Sequence, residues 1–492
     1  MNADVLVIGG GLAATWTALA AAQAGGDVVL VDKGYCGTSG VTATAGVTHW
    51  FVRPEDHERA VTERHAHAGG LADPEQALRV LRTTWDRLPT LDRYYPFPVH
   101  NGQPDRTNNV RGPEYLRAMR GLVHRAGVRI LDHHPALELL LRPDGSVGGA
   151  AGVRRQAGGN WRVRAGAVVL ATGGTAFRSH LLGSRGNTGD GHLMAVEAGA
   201  RLSGLEFSNY YTLAPAYSTM ARSMSYLFGT YTDADGHEIA LPSGPDRNRV
   251  LGAALLRGPV FTTLDRAPDW VRRKMPVVQP NFLLPFTRRG LDPYTQPFEV
   301  TLLGEGTIRG VGGLAVAAPD CATGVPGLFA AGDVASRVPI VGAISGGGSP
   351  NSAWAVSSGT WAGRAAVRHA RGAVAAPLRP AGRAGMRPGG RPAAVDTTAV
   401  TDVVREELNA YDKNMFRDEA GLRSSLSTLD TLWTEVESAL TGEGREAVTA
   451  RETASLVAMG RWVKTAAVRR RETLGMHWRT DDPAWQRPEA VA

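Results

Sequence analysis

The chain has 492 residues, 43% of them hydrophobic, and a formal net charge of +7. That length exceeds one ordinary core and calls for two or three domains. No apolar run reaches the ~18 residues that a membrane-spanning helix needs. The two cysteines, Cys36 and Cys321, support neither a disulfide framework nor a metal cluster and fit a reducing cytoplasm. Part of the positive charge sits in a Pro/Gly-rich stretch, so it argues only weakly for a nucleic-acid partner, and a solvated basic surface is favoured. The apolar start carries Asp4 and no basic leader, which reads as a core strand rather than a signal peptide.

Residues 4–32 read DVLVIGGGLAATWTALAAAQAGGDVVLVD. An apolar run, Val5 to Ile8, ends at Gly9. The pattern Gly9-x-Gly11-x-x-Ala14 follows and opens an Ala-rich helix that Gly25 and Gly26 stop. A second apolar run, Val28 to Val31, ends at Asp32. Strand, tight turn, helix, strand and acid in this order form a dinucleotide-binding fingerprint. Gly9 makes the turn, Gly11 lets a diphosphate reach the backbone, and Ala14 lets the helix pack close. The helix start at Leu12 and Ala13 offers unpaired N–H groups to phosphate oxygens. Asp32 lies where a ribose hydroxyl would be gripped.

Lys33 begins a loop of small and hydroxyl residues that includes Ser39, Gly40, Thr42, Thr44, Ala45 and Gly46. Such a loop suits a large flat ligand, because its backbone is unobstructed. Residues 57–93 and 115–126 read as helices. Strands are expected at Val128–Leu131, at Ala136–Leu141 (with Ala136 a further candidate contact), at Trp161–Arg164 and at Ala167–Leu170. Asp144-Gly145 signals a hairpin. The last strand feeds Ala171-Thr172-Gly173-Gly174, a second bare turn. Asn187-Thr188-Gly189-Asp190-Gly191 precedes a short helix, with Asp190 either a helix cap or a ligand contact.

From Leu205 to about Thr307 aromatics and turns become frequent, with a hairpin signal at Asp233 to Gly236. This texture suggests an inserted domain. The first pattern then resumes in Gly327-Leu-Phe-Ala-Ala-Gly332-Asp333. Gly346-Gly-Gly-Ser349-Pro-Asn351-Ser352 opens a helix to about His369, a second helix start suited to a polar ligand. Arg371 to Asp396 reads as a Pro/Gly/Arg-rich linker, disordered by composition. In the tail, Leu422, Leu426, Leu429, Leu432 and Val436 recur at helical spacing as core, and a second helix is expected over about 449–471.

Together these signatures resemble the flavoprotein family of succinate dehydrogenase, fumarate reductase and L-aspartate oxidase, over nearly the whole chain. Asn187-Thr-Gly-Asp-Gly with Ala198-Gly-Ala200 resembles the family's NTGDG…AGA box. Glu206-Phe207 resembles its EFxQFHPT segment. Asp235-Gly236 with Arg247 and Arg249 resembles its dGeRF…PRDvvxR stretch. Gly312-Gly313-Leu314 resembles the end of HYTMGGL, and Ala331-Gly332-Asp333 its AGE/D turn. Arg470-Arg-Glu-Thr-Leu-Gly475-Met-His477-Trp-Arg479 is similar to RxESRGxHyR. The resemblance implies an α/β fold: a Rossmann-like FAD-binding domain (1–204 and 308–370), an inserted α+β capping domain (205–307), the linker 371–396, and a C-terminal helical domain (397–492).

It also implies FAD as cofactor, where the residues alone leave FAD and NAD both open. No second glycine fingerprint is visible, so electrons would pass to or from the substrate, oxygen or an external carrier. The family's covalent His has no counterpart from Gly40 to Thr44, which points to noncovalent FAD. Its other two site histidines fall at Tyr211 and at Ile308, next to Arg309. The substrate Arg of GANRLG has no counterpart near Ser345 to Gly347. The Glu of RGEGG is missing, with Arg222 nearby. Without most of that bidentate grip, a simple dicarboxylate is disfavoured as substrate.

The expected chemistry is hydride transfer between a small organic substrate and flavin N5. The resemblance gives Arg249 or Arg247 the proton role, each weighed against a surface Arg in a turn, and Tyr211 and Arg309 are candidates to grip substrate. Two alternatives stay open: a flavoprotein subunit of a multi-component electron-transfer complex, fumarate reductase-like or adenylylsulfate reductase-like, and a nucleic-acid-modifying flavoprotein favoured by charge alone. No membrane segment is expected, and a homo-oligomer is left open.

Overall fold

The computed structural model describes residues 1–485 other than 101, 108, 109, 222, 243, 245 and 346, and builds its largest sheet on the opening strand. β1 (Asn2–Ile8) buries Val5 to Ile8. α1 (Leu12–Gln23) is buried from Leu12 to Ala21. β2 (Val28–Val31) is buried throughout. Unbroken apolar runs form these strands because helices cover both faces of a parallel sheet. Helices α2 (Pro74–Arg87) and α3 (Gly112–Arg125) follow. β3 (Arg129–Leu131), β4 (Ala136–Leu141) and β5 (Val147–Val153) come next, with Gly145 in the β4–β5 turn at φ +84°.

The two strands expected at 161–164 and 167–170 are one, β6 (Asn160–Leu170). Its first half pairs antiparallel with β5 and its second half parallel with β1. Gly166 does not break it. A Cβ there would stand 2.5 Å from the Ala370 Cβ, so the glycine serves a close approach.

α4 (Asp190–Glu197) leads out of this layer. β7 (Tyr210–Pro215), β8 (Thr230–Thr232), α5 (Asp246–Leu255), β9 (Val260–Thr263), α6 (Asp269–Val278) and β10 (Phe298–Glu305) follow. Their strands form a separate antiparallel sheet, ordered β7-β10-β9-β8. A second core of aromatic residues, among them Tyr211, Tyr226, Tyr231, Phe282, Phe286 and Phe298, fills this layer.

The chain then returns to the main sheet. β11 (Leu328–Ala330) pairs parallel with the second half of β6. α7 (Gly348–Ala370) lies along α1. A Cβ at Gly359 would stand 2.7 Å from the Ala13 carbonyl oxygen, and one at Gly363 would collide with that of Thr17. Only an alanine-rich helix against a glycine-bearing one packs this closely.

The 371–396 segment is not a free tether. β12 (Arg379–Pro380) pairs with β4, and Ala381 and Ala384 are buried. Composition alone misses this because two backbone bonds to a sheet edge leave no periodic signature. α8 (Thr397–Asn409), α9 (Glu419–Ala439) and α10 (Arg445–Arg469) complete the chain. Leu422, Leu429 and Val436 are buried in α9, and α10 is buried from Thr453 to Gly460. Among the described residues no helix is long and apolar enough to cross a membrane.

Buried charges join this helical layer to the rest. Arg451, 1% exposed, donates to Glu197 of α4 at 2.9 Å. Arg417, equally buried, donates to the Glu206 carbonyl at 2.7 Å, to Asn414 Oδ1 at 2.9 Å and to His477 Nδ1 at 2.8 Å. His477 Nε2 lies 3.0 Å from the Arg470 carbonyl, so the ring is neutral with its proton on Nε2.

Burial and the Arg417 charge lower His477 to about 3, and burial lowers His49 and His192 to about 4. Unfolded imidazoles titrate near 6.5. Between roughly pH 6.5 and 4 the unfolded chain therefore binds protons that the folded chain does not. Stability that is full above pH 6.5 is lost as the pH falls. The Tm is expected to drop from pH 7.5 to 4.5, and less steeply in His477→Gln. An identical slope in that variant would show that His477 is not held neutral.

Candidate functional site

A cavity of about 1100 Å³ opens where the ends of β1 and β6 meet the start of α1. Gly9 has φ +127°, and a Cβ there would collide with the Ala171 carbonyl. Gly11 differs: nothing lies within 4 Å of where its Cβ would be, because that position faces the open cavity. The turn glycine serves the fold, and Gly11 serves whatever enters.

α1 has no side-chain cap and no acid in its first turn. Its start, Leu12 and Ala13, lines the cavity with N–H groups suited to a diphosphate. Asp32 is buried at 5% exposure, and its Oδ1 accepts from Gly34 N–H at 2.7 Å and Ser39 Oγ–H at 2.8 Å. Burial pushes its pKa up, and those two hydrogen bonds oppose the shift. Ser39, Gly40, Ala45 and Gly46 form the adjoining wall. Across it stand Ala136, Ala171, Thr172, Gly173, Gly332, Asp333, Asn351 and Ser352. Thr172 Oγ1, Asn187 Oδ1 and Asn351 Oδ1 are buried without a protein partner. The open Gly11 position, the uncapped start of α1 and Asp32 beside them give a diphosphate cradle and a ribose acceptor, so these residues fit a dinucleotide.

Two expected contacts stand behind the wall. Ala14 is fully buried and packs the helix against its neighbours. Thr44 donates to the carbonyls of Val41 and Leu182, at 3.1 and 3.3 Å.

Lys33 holds a network that sequence reasoning did not contain. Its Nζ donates to Thr188 Oγ1 at 2.9 Å, Asp190 Oδ2 at 2.6 Å and Glu452 Oε1 at 2.9 Å. Arg178 also donates to Glu452, at 2.7 Å. Burial alone would lower Lys33, but the two carboxylates push it up. Burial alone would raise Asp190, but Lys33 holds it below the ordinary carboxylate value. Both stay charged, and α10 closes over one side of the cavity. Thr449, Glu452 and Thr453 of α10 line it, as do Thr397, Thr401 and Arg405 of α8. Their helical spacing on α10 is hidden in the sequence among apolar neighbours of the same period.

The four candidate catalytic residues separate. Arg309 lines the cavity beside Ile308, with its guanidinium 5.6 Å from the centre of the Tyr210 ring. Glu305 lies 3.7 Å from its Nε; burial alone would lower Arg309, but Glu305 and Tyr210 push it up. The backbone before it is fixed by Arg337, which donates to the Thr307 and Ile308 carbonyls at 2.9 and 3.1 Å and pairs with Asp333 at 2.5 Å.

Tyr211 is not on the cavity wall. It lies in the aromatic core, and its hydroxyl accepts from Asn414 Nδ2–H at 3.3 Å. Successive side chains of a strand point to opposite faces, so on β7 it is Tyr210 that meets Arg309. Arg247 donates to the Tyr226 carbonyl at 2.7 Å and lies over the Tyr231 ring. Arg249 pairs with Asp246 at 3.1 Å and lies over Trp478 and Trp485. Neither lines the cavity. Thr219 is the contribution of the 205–307 region up to β10. Arg222 and Gly346 lie outside the described residues.

Comparison with known proteins agrees with this geometry. A model of the FAD binding domain matches residues 82–228, one of FAD dependent oxidoreductases residues 4–95, and one of the fumarate reductase flavoprotein C-terminus residues 406–489. L-aspartate oxidase of Streptomyces coelicolor is 27% identical, over 99% of this chain and 91% of that protein. The probable fumarate reductase of Shewanella frigidimarina is 25% identical, over 55% of this chain and 48% of its own length. A mutant flavoprotein chain of E. coli quinol fumarate reductase superimposes with a TM-score of 0.81 at 20% identity, covering 100% of this chain and 93% of that one. Adenylylsulfate reductase from Archaeoglobus fulgidus does so at 0.73 and 19%, covering 99% and 92%. The chain therefore carries an FAD binding domain and a fumarate reductase flavoprotein C-terminal region, is similar to L-aspartate oxidase and fumarate reductase, and is an FAD-dependent oxidoreductase.

Proposed function

We propose that this chain exchanges a hydride between a small organic substrate, not a simple dicarboxylate, and noncovalently held FAD. The observation that carries this reading is the cavity wall at 308–309. Ile308 stands where the family has a histidine, and among the described residues Arg309 supplies the guanidinium beside it on the cavity wall. The sec-butyl face of Ile308 beside the Arg309 cation suits one anionic or strongly polar group joined to an apolar body. A dicarboxylate would leave one charge against Ile308 without a partner, at a large desolvation cost.

In this reading residues 1–204 and 308–370 hold the flavin, 205–307 cap it, and 397–492 close one side. Gly11 and the α1 start take the diphosphate, and Asp32 takes a ribose hydroxyl. Bound flavin supplies a two-electron donor and acceptor. Arg309 orients the substrate, Ile308 excludes water beside it, and Arg337 keeps both in place. The lack of a histidine from Gly40 to Thr44, the stretch where the resemblance would place the family's covalent one, supports noncovalent binding. Acid precipitation is expected to release all the yellow colour into the supernatant; colour kept in the pellet would implicate His180, the histidine on the cavity wall.

Screening the purified holoprotein for substrate-driven bleaching of the flavin tests the function. Reoxidation by oxygen or a dye without a second protein is expected. Bleaching by succinate or aspartate as the best substrates would overturn the substrate reading. Full-chain likeness to flavoprotein chains of reductases supports the alternative of a multi-component complex, which reoxidation only in the presence of a partner would establish.

Three substitutions probe the site. Gly11→Leu projects into open space, so the protein should fold normally and be purified colourless. Arg309→Ala should cost about 10- to 100-fold in kcat/KM, the worth of a charge-assisted hydrogen bond of ~1.5–3 kcal/mol, with the flavin spectrum retained. Arg249→Ala should retain turnover and lower the Tm, because its guanidinium packs on Trp478 and Trp485. Abolished turnover with an intact flavin spectrum would instead return Arg249 to proton delivery.

A further inference from the structure

The layer formed by residues 205–307 exposes apolar side chains that no other described residue covers. Leu227 is 63% exposed, Trp270 49%, Val277 69% and Leu284 43%. They belong to one region. Trp270 meets Phe228 edge-on at 6.4 Å, Tyr226 meets Phe282 at 5.7 Å, and Ser223 reaches Met275 Sδ at 3.5 Å. α6 is the centre of it.

The helix has two sharply different sides. Val271 and Met275 are buried in the aromatic core. Arg272 turns inward too, donating to the Ala267 carbonyl at 2.9 Å and lying over the Tyr294 ring. Trp270, Arg273, Lys274 and Val277 fall at i, i+3, i+4 and i+7, one continuous stripe facing outward. The only acid on the helix, Asp269, stands 3.9 Å from Arg273, and both side chains are more than three-quarters exposed, too solvated to neutralise it. Arg288 and Arg289 add two exposed cations beyond Leu284. From Asp269 to Gly290 five basic residues stand against that single acid.

We infer that this face docks on an anionic lipid bilayer. Aromatic and aliphatic side chains enter the headgroup boundary while arginines and lysines between them meet lipid phosphates. The arrangement of charge decides against a protein partner. In protein interfaces the apolar centre is depleted of lysine, whereas Lys274 lies between Trp270 and Val277 in the same stripe, with Arg273 beside it. The face reaches the cavity along the chain: the loop that supplies Leu227 supplies Thr219 to the cavity wall. Docking therefore bears on a segment of the flavin site, without depending on the identity of the substrate.

The test is flotation of the full-length holoprotein with vesicles. Phosphatidylcholine vesicles containing about a third phosphatidylglycerol should bind it on the order of tenfold more tightly, or better, than pure phosphatidylcholine, and 0.5 M salt should release it. Trp270→Ser and the pair Arg273→Glu, Lys274→Glu should each abolish the enrichment with flavin content unchanged; the charge pair should leave the Tm unchanged, and Trp270→Ser should lower it only slightly, since it gives up an edge-on contact with Phe228. Equal binding to neutral vesicles, no binding at low salt, or unchanged binding by the variants would overturn the proposal. So would concentration-dependent self-association, without vesicle binding, that the same substitutions abolish, because that would assign the face to a second copy of the chain.

Discussion

The architecture depends on how closely backbone can approach backbone around α1. Gly9 lets the end of β1 pass the Ala171 carbonyl, and Gly359 and Gly363 let α7 ride against Ala13 and Thr17. These contacts tie the opening residues to segments more than 160 and more than 340 positions away. Any side chain at these sites would add volume to an already full contact, at roughly 1–3 kcal/mol each. The sheet edge, both helices and the cavity they border are thus fixed by the absence of side chains as much as by their presence. Gly11 sits among these crowded positions as the one with nothing in front of it, which separates a packing glycine from a ligand glycine.

That distinction explains what could be read before the fold was known. Residues 4–32 are legible because strand, turn, helix, strand and acid are adjacent in the chain, and each element has its own period. The cavity walls at Ala171 to Gly173 and Gly332 to Asp333 repeat the same strand-to-bare-turn pattern, and are legible for the same reason. The α10 wall is not. Lys33 and Glu452 are 419 positions apart, and Thr449, Glu452 and Thr453 share the helical period of the core residues around them. Tyr211 shows a different limit. The motif resemblance locates the segment correctly, but a strand inverts facing at every residue, so a one-residue ambiguity exchanges a cavity neighbour for a core tyrosine. At 371–396, composition describes a disordered tether, yet Arg379 and Pro380 pair with β4; tertiary pairing overrides composition where a sheet edge is available.

Charge is used unevenly between the two sides of the cavity. On the α10 side Lys33, Asp190, Glu452 and Arg178 form a connected, partly buried set in which each cation has a carboxylate within 2.9 Å. Removing Lys33 would strip Asp190 of its ion-pair partner and leave Glu452 with Arg178 alone, at a cost of up to about 3–5 kcal/mol. The network therefore makes closure of the C-terminal helices over the cavity strongly cooperative with its charged state. It also places fixed dipoles and charges where a dinucleotide would run, with no reorganisation needed when it arrives.

The opposite side is organised from one buried guanidinium. Arg337 is 1% exposed and pairs with Asp333 after β11 while its Nη2 donates to the Thr307 and Ile308 carbonyls. Ile308 and Arg309 are thereby tied to the strand end that borders the cavity, while Arg309 also meets Glu305 and Tyr210 of the 205–307 layer. Under the proposed function, a movement of that layer would be felt at the residue that grips the substrate. The outer face of Trp270, Arg273, Lys274 and Val277 belongs to the same layer, so an event at that face has a route to Arg309.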